Sequence, residues 1–82
     1  MENKEFTYDI VRHIGLISVT RRGDTRWKKE LNIVSWNHRK PAYDVREWNE
    51  SHTKMSKGMT FTSHELRTLY QLLQALEVKE TV

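Results

Sequence analysis

The sequence predicts an α+β domain, a four-stranded antiparallel meander followed by one C-terminal helix in the order β-β-β-β-α. Three observations predict it. Eighty-two residues suffice for one small core and not for two. Runs of β-branched and aromatic residues are separated by the turn signals TRRGDTR and HRKP and by the polar loop NESHTKMSKG. Then Thr62-Ser63-His64-Glu65 forms a capping box ahead of leucines at helical spacing.

Residues 1–5 are polar and are expected to fray. The first strand is expected from Phe6 to Val19, FTYDIVRHIGLISV, as one long bent strand, because Gly15 inside it would break a helix and marks a bulge or bend in a strand. The second strand is RWKKELNIVSWN. Leu31 and Ile33 share one of its faces, Val34 and Trp36 the other, so either both faces are partly covered or a bulge near Asn32 switches the register. Pro41 precedes the third strand, AYDVREW, and MTFT gives a short fourth with Met59 and Phe61 on one side. In the helix, Leu66, Leu69, Tyr70, Leu73 and Leu76 make one apolar stripe that Leu72 widens.

An apolar fraction of 37% against 30% charged residues is lean for so short a chain, and no cysteine is present to staple it. A homodimer is therefore expected, with Leu66, Leu69, Leu73 and Leu76 as its core positions. Fourteen Lys and Arg against eleven Asp and Glu give a net charge of +3, which permits a phosphate-bearing partner without demanding one. MENKEFTYDI has no apolar core of signal-peptide length and no run approaches membrane-spanning length, so the expected location is cytoplasmic and nucleoid-associated, with no membrane partner.

One helix covers only one face of a four-stranded sheet. The second face takes its residues from Trp27, Lys28, Lys29, Asn32, Trp36, Asp44, Arg46 and Trp48, according to register. Indoles interleaved with cations suit single-stranded nucleic acid, since bases stack on aromatic rings whatever their sequence while Lys and Arg follow the backbone. Lys54 and Lys57 extend the cationic set from the adjoining loop. Each tryptophan alone reads more readily as core, and Arg46 beside Asp44 and Glu47 as a weak surface pair, but three buried indoles would each need a partner for the N–H.

Catalysis and metal binding find no footing. The four histidines, His13, His38, His52 and His64, lack ligand spacing, there is no cysteine nucleophile, and no serine sits in an elbow motif. Asp44 and Glu47 lie on opposite faces of their strand, and the three glycines form no phosphate loop. No cofactor, metal or small-molecule substrate is expected.

YDVREW, a polar loop and then KMSKGMTFTSHEL with its apolar helix resemble the positive cofactor four family of single-stranded-DNA-binding transcriptional coactivators, most closely its compact bacterial members. The matching positions are Asp44, Val45, Arg46, Glu47 and Trp48, then Lys57, Gly58, Met59, Thr60 and Phe61; the resemblance is strong over residues 43 to 76. It implies a dimer whose helices pack together beneath two curved, cationic sheets. It further implies that Arg46 and Lys57 contact the nucleic-acid backbone, that Trp48 stacks on bases, and that Trp36 stands in for a second-strand aromatic. The alternative is a protein-interaction or structural dimer with no nucleic-acid role, and RNA binding is a variant of the main reading.

Overall fold

The computed structural model describes residues 6–76, so the expected fraying of residues 1–5 lies outside the described residues. The elements are β1 (Tyr8–Arg22), β2 (Thr25–Trp36), β3 (Ala42–Trp48), β4 (Met59–Phe61) and α1 (Ser63–Leu76). They form one open sheet in the order β1-β2-β3-β4, antiparallel throughout, with the helix last. This is the expected α+β meander.

β1 is bent as Gly15 suggests, but by more than one device. Its register against β2 shifts between Ile10 and Arg12, between His13 and Gly15, and between Leu16 and Ser18. Each shift inserts one extra residue in β1, namely Val11, Ile14 and Ile17. Bulges at three-residue intervals bend a strand and raise its twist, so β1 curls along its length. β2 pairs with β3 from Lys28 to Val34 without a shift. No bulge therefore interrupts β2 near Asn32 on that side; both of its faces are partly covered.

The turns follow local chemistry. Gly23 takes φ 61° between β1 and β2, and Asn37 (φ 51°) and His38 (φ 63°) turn the chain from β2 towards β3. At the start of α1, the Glu65 N–H donates to Thr62 Oγ1 (3.1 Å), and the Thr62 N–H donates to Glu65 Oε1 (2.8 Å). That is the capping box in both directions.

Burial falls on the unexpected side of the sheet. The helix face carries Leu31, Tyr43 and Val45, all only half-buried, and none of the residues of α1 is fully buried. Between α1 and that face lies a cavity of about 610 Å³, lined by Ile17, Leu31, Tyr43, Val45, Leu66, Leu69, Tyr70 and Leu73 among others. The opposite, outer face holds the fully buried set: Val34, Trp48, Asn32, Asp44 and Glu30. It is covered because the segment after β3 folds back across it. Trp48 bridges to Met55, His52 reaches Glu30, and the Tyr8 hydroxyl donates to the His52 carbonyl. The expectation of an open second face is corrected here.

Candidate nucleic-acid interface

The pleat decides which expected residues share a surface. Lys28, Asn32 and Trp36 of β2 stand beside Asp44, Arg46 and Trp48 of β3 on the outer face, in the register Lys28–Trp48, Glu30–Arg46 and Asn32–Asp44. Trp27 and Lys29 alternate to the helix side. The nine expected residues thus occupy two surfaces and the loop between them.

On the outer face the aromatic rings are clustered. Trp36 and Trp48 lie nearly parallel, 7° apart with ring centres at 6.4 Å. Phe6 stacks on Trp36 at 5.8 Å, and Tyr8 touches both indoles. His52 packs against Trp48 at 5.5 Å, held there by a left-handed backbone at φ 57°. Trp48 is consequently 0% exposed. As placed it offers no ring face to a base, contrary to the role the family resemblance implies for it. Trp36 is half-buried and Phe6 is 61% exposed, so the accessible aromatic surface lies at their end of the row. Thr7 and Asn37 fix that end: the Asn37 N–H donates to the Thr7 carbonyl (2.8 Å), and the Thr7 N–H donates to Asn37 Oδ1 (2.9 Å).

Asn32, an expected ligand contact, is also fully buried. Its Nδ2 donates to Glu30 Oε1 (3.0 Å), and its Oδ1 lies 2.8 Å from His13 Nδ1. His52 Nε2 completes the cluster at 3.0 and 3.1 Å from the two Glu30 oxygens. Burial pushes the Glu30 carboxyl up, but hydrogen bonds from Asn32 and His52 and the charges of His52 and His13 outweigh it, so its pKa lies below the ordinary value. Asn32 and Glu30 hold the outer face together. Among the described residues, no group of three or more His, Asp or Glu side chains is arranged to hold a metal ion.

The cations fall into three states. Arg46 is committed: its Nε and Nη2 donate to Asp44 at 2.7–3.0 Å, and its guanidinium lies 4.4 Å over the Trp36 ring. Lys28 is paired with Glu50 (3.2 Å), which also takes Arg26 (3.3 Å), while Arg22 takes Glu47 (2.8 Å). Lys29, Lys54 and Lys57 are exposed and form no ion pair with a described residue. Arg22, Lys29, Arg46 and Lys57 border one recess of about 710 Å³ together with Glu47, Ser56 and Gly58. Trp27, half-buried, adjoins it through Arg22, whose guanidinium lies 5.9 Å from the indole centre.

Phe6, Tyr8, His52 and Arg22 were not among the expected site residues. Phe6 and Tyr8 stand two apart at the head of β1, which marks a shared strand face; nothing in the polar loop sequence signals that His52 turns back on to the sheet.

A family model described as Transcriptional Coactivator p15 (PC4) matches residues 24–72, the span from the first turn through most of α1. The chain belongs to the PC4 family. An uncharacterized protein of Treponema pallidum (strain Nichols) is 37% identical over 76 residues, covering 93% of this chain and 86% of that protein. The PC4 family is one of nucleic-acid-binding coactivators and not of enzymes. No described helix is long and apolar enough to cross a membrane.

Proposed function

We propose that the protein binds single-stranded DNA without sequence preference, as a homodimer, in the service of transcription, replication or repair. The observation that carries this reading is the pairing of PC4 membership with accessible aromatic surface and lysines that pair with no described residue. Phe6, stacked on Trp36 at one end of the outer face, and Trp27 beside the recess supply aromatic surface for bases. Lys29, Lys54 and Lys57 supply charge for phosphates, and Lys28 joins them when Glu50 gives way. Bases on aromatics contribute about 1–3 kcal/mol each, and duplex DNA withholds its base faces, so single strands are preferred.

The homodimer accounts for the helix face, where the leucines of α1 and the wall of β1 are apolar and uncovered. The protein acts from the cytoplasm, at the nucleoid.

Titration with oligo-dT, duplex DNA and RNA of one length at one salt concentration tests the proposal through tryptophan fluorescence. Quenching of part of the emission by oligo-dT is expected, since Trp27 and Trp36 are reachable and Trp48 is not. Equal affinity for duplex and single strand would sink it. A protein-interaction dimer is the competing reading, favoured by the burial of Trp48; it predicts no fluorescence response to any of the three nucleic acids.

A further inference from the structure

We infer that Arg46 is a positioning residue for the aromatic platform and not a contact to the nucleic-acid backbone, with Asp44 and Gly58 holding it in that role. The inference rests on the single-strand reading above.

The bonding of Arg46 commits most of its donors within the protein: of its five N–H groups, one on Nη2 has no described partner. Asp44, 0% exposed, accepts from Nε at 2.8 and 3.0 Å and from Nη2 at 2.7 Å. The remaining nitrogen, Nη1, is 3.4 Å from the Ser56 carbonyl and 3.6 Å from Met55 Sδ. The side chain is only 14% exposed. A buried carboxylate held in this fork neutralises the guanidinium at short range, and breaking the pair would strand a buried charge.

What the guanidinium does touch is Trp36, 4.4 Å from its ring centre. A planar cation fixed over an indole attracts its π face and stops the ring from tipping. On the far side of the pair, the chain entering β4 runs so close that a Cβ on Gly58 would lie 2.3 Å from Arg46 Cβ and 2.9 Å from its Nε. Only glycine admits that approach. One ion pair therefore sets both the Trp36 ring and the Ser56–Gly58 segment, and between Ser56 and Gly58 stands Lys57, which pairs with no described residue.

The sign of the charge effect makes the inference testable. Asp44→Asn raises the net positive charge by one, so a purely electrostatic surface gains affinity for DNA. A positioning pair loses it. Binding of oligo-dT is measured across a range of salt concentrations, alongside thermal melting to identify folded variants. Asp44→Asn is expected to weaken binding about tenfold or more, the order of one lost stacking contact, with the salt slope unchanged. Unchanged or tighter binding overturns the inference.

If Asp44→Asn does not fold, Arg46→Lys carries the test, because it keeps the charge and loses the planar fork. It should weaken binding as much as Arg46→Ala, and neither should flatten the salt slope. In a Trp36→Ala background it should weaken binding no further, which a general loss of structure would not reproduce. Arg46→Lys that binds like the unaltered protein, or Arg46→Ala with a slope reduced by about 0.7, overturns the role. Failure of the unaltered protein to bind overturns the functional reading and this role with it. Binding that survives Asp44→Asn overturns the role alone.

Discussion

At the scale of single residues, the proposed roles of Lys57 and Trp36 rest on different physics, and salt separates them. Lys57 is exposed and unpaired among described residues, so a phosphate beside it displaces condensed counterions. Lys57→Ala should flatten the plot of log affinity against log salt by about 0.7 per strand contact. Trp36→Ala should lower affinity by about 1–3 kcal/mol with little change in slope. Salt-dependent anisotropy titrations check both, and a flattened slope for Trp36→Ala would contradict its role. Glu30 sets a second expectation, on the acid side. Its folded pKa lies below the ordinary value of 4.5, so its contribution to stability is complete above that pH and is lost as pH falls through the folded value. Below about pH 4.5 the protein should lose stability, and Glu30→Gln should lack that transition; melting temperatures across pH 3–7 decide it. The alternation Asp44–Arg46–Trp48 was legible in the sequence as one strand face. The burial of Trp48 was not, because it depends on His52 and Tyr8, distant in sequence and brought together only by the returning loop.

At the scale of elements, cations of the β1–β2 hairpin meet carboxylates near the end of β3 and in the loop after it. Glu50 accepts from Arg26 and Lys28, and Glu47 from Arg22, so part of the cationic surface is already occupied by the protein's own carboxylates. Both Glu50 and Arg26 are about half exposed, and such pairs stabilise the fold by at most about 1 kcal/mol. Glu50→Gln should therefore leave the melting temperature nearly unchanged while binding single strands more tightly and with a steeper salt slope, since two freed cations can each displace counterions. Weaker binding by this variant would show that Glu50 shapes the loop and does not compete with phosphate. β3 and α1 were legible almost to the residue, because alternation and the capping box are local signals. The triple bulge of β1 was legible only in part. Gly15 announced one irregularity, but Val11 and Ile17 are ordinary strand formers, and their displacement shows only in the pairing with β2.

At the scale of the whole molecule, the proposed homodimer rests on the openness of the single chain. The accessible surface of that chain is 6833 Å², whereas a compact monomer of 9.9 kDa has about 5,200 Å². Its radius of gyration is 14.9 Å, against about 11.7 Å for a compact domain of 82 residues. The excess of surface, on the order of 1,600 Å² per chain, is what each subunit of a large obligate interface buries and about twice its share of a standard one. Where it lies is apparent from the side chains: Leu72 (62% exposed), Leu73 and Leu76 on α1, with Ile17 on β1 across the cavity. Since Val34 and Trp48 are the buried apolar residues of the described chain, covering the helix face with a second copy would supply apolar burial that the single chain lacks. Sedimentation at micromolar concentration should give a dimer. Leu73→Asp would place an unpaired carboxylate in that interface, at a penalty of several kcal/mol, and should yield a monomer that melts early or does not fold. Gln71→Ala, on the same helix but polar, exposed and away from the cavity, should leave assembly intact and serves as the control. If Leu73→Asp remains a folded dimer, α1 is not the interface and the leucine stripe needs another partner. If it becomes a stable folded monomer that still binds oligo-dT with unchanged affinity, dimerisation and binding are separate properties. The expected result is loss of both together, since the strand path along Trp27, Lys29 and Lys57 borders the same side of the sheet that the helix and its partner must hold in shape.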